Sequence, residues 1–354
     1  MKKRMVILGG GYAGMRLLQR LLPTLPSDRE VILIDRLPYH TFKVEYYALA
    51  AGTEPAASLT YPFPDHPSLS KIYGEVQAID PEEKVVLVRE AGTIPYDELV
   101  IAVGCVDHYQ GIPGAEEHAL SIQTIKKAQH ASQKLTTLDP YEKVAIIGGG
   151  LSGVELAAEL RESRADLNIT IINRGDGVLS PFPQKLRNYV SKWFIENDVQ
   201  LLNHQSVTRV GADHLQVENG EELSCDAIVW SAGIRPSHVV DDIPGERDRN
   251  ARILVKEDYS HPQYPDLYVI GDCASAEFAP SAYLAEKMAD RLVMVLQAKW
   301  KGETVELPRL KLSAMFGSLG KKQGFAVIGD TPLLGRVPRI LKSGVLWIYK
   351  YHLG

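Results

Sequence analysis

Residues 5–22 read MVILGGGYAGMRLLQRLL, and residues 144–160 read VAIIGGGLSGVELAAEL. Each stretch is a short apolar run, then three glycines spaced G-x-G-x-x-G, then apolar residues at helical spacing. The glycines are Gly9, Gly11 and Gly14 in the first stretch and Gly148, Gly150 and Gly153 in the second. The pattern predicts a strand, a tight turn and a helix, twice. With 29 glycines in 354 residues, chance supplies roughly 0.2 such triplets, so one match is weak. Two matches, each between a strand and a helix, decide the fold.

The spacing has a physical reason. A diphosphate held at a helix N-terminus lies against backbone N–H groups, and a Cβ there would block its approach. The repetition also extends past the glycines. YDELVIAVG (96–104) and CDAIVWSAG (225–233) share an aspartate, Asp97 or Asp226, an apolar strand and a terminal glycine, Gly104 or Gly233. Between glycines and aspartate each copy has a second strand, EVILID or NITIIN, and shorter alternating strands such as EKVVLV and DHLQVE. The chain reads as two copies of one dinucleotide-binding module, so two nucleotides are expected on one chain. Asp35 ends the second strand of the first copy, where a carboxylate accepts hydrogen bonds from a ribose diol. The second copy has Asn173 there, followed by Arg174. Asn173 suits a hydroxyl or a phosphate, and Arg174 suits a 2′-phosphate, so NADH and NADPH both stay open.

Length and composition allow two packed domains of an ordinary globular protein. A formal charge of -5, with both signs scattered along the chain, speaks against a nucleic-acid partner. Cys105, Cys225 and Cys273 form no C-x-x-C pair, which argues against a dithiol site or a zinc ribbon and suits small core residues in a reducing cytosol. No metal site is expected. The N-terminus puts basic residues before an apolar run, as a secretory signal does, but glycines and Arg16 interrupt it and no cleavage site follows. No run approaches the roughly 18 apolar residues of a membrane span.

A third signal, YPDLYVIGDCAS (264–275), puts Gly271 and Asp272 after an apolar strand. With these motifs the chain resembles the FAD/NAD(P)-dependent pyridine nucleotide-disulfide oxidoreductase superfamily, whose members carry two dinucleotide-binding domains. It is most similar to the type II NADH dehydrogenase, or NADH:quinone oxidoreductase, branch. The resemblance implies an α/β fold with two Rossmann-like domains, the second inserted in the first, and a short C-terminal segment. It implies FAD on the first module, NAD(P)H as substrate on the second, and a flavin that takes hydride and passes electrons to a quinone-like acceptor. Asp272 then bonds the ribityl chain of FAD, and Glu155, in the first turn of its helix, lies near the nicotinamide. The cofactors supply the reactivity, so no catalytic triad is expected.

The expected parts are a flavin domain over 1–112 and 241–310, a nicotinamide-nucleotide domain over 113–240, and an interface or membrane-docking segment over 311–354. The chain departs from the branch at Tyr283 and Lys287, where glutamines line the acceptor pocket, at Val44 and Glu45, where a proline is usual, and by stopping at Gly354. These departures leave room for an NADPH-dependent reductase of a small redox protein such as ferredoxin, or a flavin-binding protein with little turnover. In GRVPRILKSGVLWIYKYHLG (335–354), Val337, Ile340, Leu341, Val345 and Ile348 recur at helical spacing, with Arg336, Arg339, Lys342 and Lys350 placed for the other side. That pattern fits a helix lying on an anionic membrane, which would put a cytoplasmic protein peripherally on the inner face. It equally fits a helix packed on the flavin domain or on a second subunit of a homodimer.

Overall fold

The computed structural model describes residues 2–311 and 314–353, with only the backbone of His352 and Leu353. Gly354, the last residue of the tail discussed above, lies outside the described residues. The chain divides into two compact units. The first comprises Met1–Thr41, Tyr61–Val106 and Arg235–Leu312, and the second Phe42–Thr60, Asp107–Ile234 and Ser313–Gly354.

The first unit is built on a five-stranded sheet in the order Leu267–Val269, Glu98–Ile101, Lys3–Leu8, Arg29–Asp35, Leu69–Tyr73. Every pairing in it is parallel. The central strands are nearly continuous apolar runs, as a parallel sheet covered on both faces requires. Helix Tyr12–Leu21 buries Ala13, Met15, Leu17, Leu18 and Leu21, and Pro23 turns its end into a short 3-10 segment. Each fully buried Leu or Met contributes about 1.5–3 kcal/mol. The helix also packs on Ala282–Lys301, to which Arg16 is clamped by two bonds to Asp290, of 2.6 and 3.0 Å. That second helix begins at Ser281, whose hydroxyl accepts from the Leu284 N–H at 3.1 Å.

The second unit repeats the plan. Its parallel sheet runs Leu120–Ser121, Ala227–Trp230, Lys143–Ile147, Asn168–Ile172, Val199–Leu202. A three-stranded antiparallel meander precedes the returning strand in each unit, at residues 76–95 in the first and 207–224 in the second. The repeated aspartates have one job. Asp97 accepts from the Arg4 N–H at 2.6 Å and Asp226 from the Lys143 N–H at 2.8 Å, so each clasps the start of its central strand. The second unit also contains a three-stranded antiparallel sheet, Ala314–Leu319, Gln323–Ile328 and Thr331–Gly335, and the helix Arg336–Leu353 that packs on it.

The glycines of each triplet differ in what surrounds them. Gly9 and Gly148 have φ of +94° and +115°, in the left-handed region, and their N–H groups bond the Ile34 and Ile172 carbonyls at 2.9 and 2.8 Å. A Cβ on Gly14 would lie 1.9 Å from the Gly9 carbonyl oxygen, and one on Gly153 would lie 2.1 Å from that of Gly148. A Cβ on Gly11 or Gly150 would meet nothing within 4 Å among the described residues. Gly14→Ala is therefore expected to destabilise the protein by about 3 kcal/mol or more, because backbone rather than a flexible side chain must move. Gly11→Ala should stay within about 1 kcal/mol of wild type. Urea unfolding of the two variants checks the contrast.

Candidate functional site

Each unit offers a candidate site at the C-terminal end of its central strands, and each is built around one glycine turn. In the first unit the Gly10 N–H donates to the Asp35 carboxylate at 2.6 Å, and the Leu37 N–H donates to its other oxygen at 2.8 Å. Burial still raises the Asp35 carboxyl above its ordinary value. His40 donates from Nδ1 to the Gly10 carbonyl at 2.9 Å, while burial lowers its pKa to about 4 and keeps the ring neutral. Gly104 follows the strand Glu98–Ile101, and Gly271 opens the short turn Gly271–Cys273 beside Ala13. Asp272, next in that turn, accepts from the Cys105 thiol at 3.1 Å. Gly9, Gly11, Gly14, Asp35, Gly104, Gly271 and Asp272 thus share one unit, and Cys105 is an addition that sequence reasoning treated as core filler. Cys225 and Cys273 are buried, whereas Cys105 is half-buried.

In the second unit Gly148, Gly150 and Gly153 form the matching turn, and Gly233 lies past the strand Ala227–Trp230, its carbonyl accepting from the His108 N–H at 3.0 Å. Asn173 sits against the turn, since a Cβ on Gly149 would come 2.9 Å from its Cγ. Its amide is committed locally, with Nδ2 donating to the Gly177 carbonyl at 2.8 Å. Arg174 is exposed. Glu155 lies past the first turn of the helix Leu151–Ser163, which contains no acidic residue, so stabilisation of the helix N-terminus does not explain it.

The structure supplies another explanation. Glu155 is buried with Glu45, Tyr47, Ser318 and Lys342, all in the second unit. Lys342 Nζ uses its three donors on Glu155 Oε1 at 2.6 Å, the Tyr47 hydroxyl at 2.9 Å and Ser318 Oγ at 3.0 Å. Glu45 Oε1 is 3.5 Å from the same ammonium and accepts from the Tyr47 hydroxyl at 3.3 Å. The Ser318 N–H donates to Glu155 at 2.9 Å. Two carboxylates face one ammonium. Burial works against the charge on Lys342, but Glu155, Tyr47 and Glu45 hold it protonated well above its ordinary value. Burial raises the Glu155 carboxyl, with Glu45 adding to the rise and Lys342 opposing it.

Two residues noted in the sequence, Glu45 and Lys342, were not linked there to Glu155. Glu45 lies in the apolar stretch FKVEYYALA, where a lone acid is itself a signal. Helical spacing set Lys342 on the side opposite the apolar stripe, and that side is the buried one. Lys342 is 7% exposed, whereas Ile340 is 69% and Trp347 is 67% exposed. Arg339 also turns inward, donating from Nε to the Gly320 carbonyl at 3.1 Å. The apolar stripe faces out because the inward face meets carboxylates.

Removing the ammonium is expected to leave two uncompensated buried carboxyls. Lys342→Met should cost about 3–5 kcal/mol. The sign with pH follows from Glu155. Its folded value lies above the unfolded one, so the folded state holds the extra proton and this stability is lost as pH rises through the folded value. The urea midpoint of Lys342→Met should fall as pH rises past the ordinary carboxylate range, and adding Glu155→Gln should flatten that slope.

Residues 3–290, which include both glycine turns, match the family described as pyridine nucleotide-disulphide oxidoreductase. The chain is 49% identical to the NADH dehydrogenase-like protein YutJ of Bacillus subtilis over 99% of its length and 100% of that protein. It is 26% identical to a type II NADH:quinone oxidoreductase of Staphylococcus epidermidis, covering 100% of this chain and 96% of the relative. Among solved structures, NDH2 from Plasmodium falciparum in complex with NADH superposes with a TM-score of 0.86 at 19% identity, over 100% of this chain and 95% of that one. The sulfide:quinone oxidoreductase of Aquifex aeolicus gives 0.83 at 20% identity, over 99% and 91%. The repeated turn, the repeated sheet and these matches have one meaning: the chain belongs to the pyridine nucleotide-disulphide oxidoreductase family.

Proposed function

We propose that the protein is an FAD-dependent NAD(P)H dehydrogenase that delivers electrons to a quinone, with FAD on the first glycine turn and NAD(P)H on the second. The observation that carries this reading is the duplicated cradle. The first and third glycines of each turn are closed against backbone, and only the middle one opens onto free space. That is the room a diphosphate needs at a helix N-terminus. The naming of the relatives as NADH dehydrogenase-like and as NADH:quinone oxidoreductase supports the substrate pair.

FAD, when bound, supplies the two-electron chemistry that no side chain has. The chain positions and balances charge. Asp35 offers its carboxylate to a ribose, already oriented by the Gly10 and Leu37 N–H groups. Asp272 is oriented by the Cys105 thiol and is assigned to the ribityl chain. Glu155, within the buried cluster, holds a proton more tightly than a free carboxyl and is assigned to the nicotinamide side. Anaerobic mixing of the flavin-loaded protein with NADH should bleach the oxidised flavin within the turnover time, and a soluble quinone should restore its colour. A flavin that stays oxidised under NADH and NADPH overturns the assignment.

The last helix is assigned to a lipid surface, which suits a lipid-soluble acceptor. No helix among the described residues is long and apolar enough to cross a membrane. Val337, Ile340, Leu341, Val345, Trp347 and Tyr351 are all exposed on the helix Arg336–Leu353. Trp347 stacks on Tyr351 with centroids 5.7 Å apart, an amphipathic aromatic pair suited to a membrane interface. With Lys342 and Arg339 turned inward, binding rests on apolar area more than on charge. Ile340→Glu combined with Trp347→Glu should abolish flotation with phospholipid vesicles, while raised salt should weaken wild-type flotation only slightly.

A further inference from the structure

The loop after the strand Asn168–Ile172 holds an ion pair that the reading above leaves unused. Residues 173–177 are fixed beside the second glycine turn. Besides the Asn173 bond to Gly177, the His204 N–H donates to the Gly175 carbonyl at 2.9 Å, and the Gln205 N–H donates to that of Asn173 at 3.1 Å. Arg187, near the start of the helix Gln184–Glu196, reaches back to this loop. Its Nη2 pairs with Asp176, and its Nη1 donates to Gln184 Oε1 at 3.1 Å. A Cβ on Gly177 would lie 3.2 Å from Nη2, so the guanidinium also abuts the loop backbone. The arginine side chain is 13% exposed and its Nε finds no partner among the described residues, whereas Asp176 is 62% exposed.

In a dinucleotide-binding module this strand end reads the adenosine ribose. An acid there accepts from the 2′-hydroxyl, and a nearby arginine accommodates a 2′-phosphate. Here the residue ending the strand is the neutral Asn173, whose amide gives one of its two hydrogens to Gly177. An acid and a largely buried arginine follow it in space, each occupying the other. The exposed Arg174 adds a second cation next to the same loop.

We propose that Asp176 sets the choice of nucleotide. The proposal rests on the assignment of NAD(P)H to the Gly148–Gly153 turn. The Asp176 carboxylate keeps the Arg187 guanidinium occupied and places negative charge where a 2′-phosphate would enter, so the protein takes NADH. Without that carboxylate, Arg187 presents its planar donor fork to the phosphate and the same loop accepts NADPH.

The test compares flavin-loaded wild type, Asp176→Asn and Asp176→Asn/Arg187→Ala, each titrated calorimetrically with NAD+ and NADP+. Wild type should bind NAD+ at least about tenfold more tightly than NADP+. Asp176→Asn should tighten NADP+ by roughly tenfold, as expected for a gained charge-assisted pair, and leave NAD+ within about twofold. The gain should vanish in the double variant and shrink in high salt. Asp176→Ser, made in parallel, should show the same shift, so that a fault peculiar to one substitution does not decide the matter. A wild type that prefers NADP+, or a ratio unmoved by both single variants, overturns the proposal while leaving the assignment of the turn intact. A wild type that binds neither nucleotide overturns the assignment of the turn, and this proposal with it.

Discussion

The approach of a helix to the strand before it, at Gly14 and Gly153, is the constraint on which both units rest. At these points the helix backbone stands so near the turn that even a methyl group would overlap a carbonyl oxygen. The closeness fixes where the N-terminus of each helix points, at the C-terminal end of its central strand. A helix held farther away would satisfy packing equally well and would lose that aim. The geometry is thus bought by side chains that are missing, and it recurs wherever the chain repeats the spacing.

A second constraint is electrostatic. The C-terminal helix presents greasy residues to the outside and a lysine to the inside, the reverse of the ordinary surface helix. Burial of Lys342 is tolerable because three oxygen partners take its three hydrogens and two carboxylates stand near it. The helix Leu151–Ser163 contributes to this arrangement along one face. Glu155 accepts from the Ser318 N–H and Glu162 from the Lys321 N–H at 2.6 Å, so two acids of this helix hold the backbone of the last sheet. Glu159, between them, is buried and accepts from the Thr53 hydroxyl at 2.6 Å.

The fold was legible in the sequence because its decisive features are local. Glycine spacing, the apolar runs and the repeated aspartates of residues 97 and 226 each declare a strand end or a turn without reference to distant residues. The carboxylate cluster was not legible. Lys342 lies 187 residues from Glu155 and 295 from Tyr47, and no periodicity links such positions. Helical spacing located the apolar stripe of the last helix and set the lysine opposite it, but periodicity separates two faces without saying which one is buried. A signal was nonetheless present. Glu155 and Glu159 stand four residues apart in a helix stretch that is otherwise mostly apolar, and buried acids demand a cation or a donor from somewhere.

The interleaving of the units also orders events during synthesis. All five strands of the second parallel sheet lie between residues 120 and 230, so that sheet can close soon after Trp230 leaves the ribosome. The first sheet has only four strands by then. Its fifth, Leu267–Val269, arrives later to pair with Glu98–Ile101. In the interval that older strand has a bare hydrogen-bonding flank, open to pairing with other chains, and its neighbours are among the most apolar in the protein. Nascent chains stalled within this window carry an unpaired strand flank that invites association.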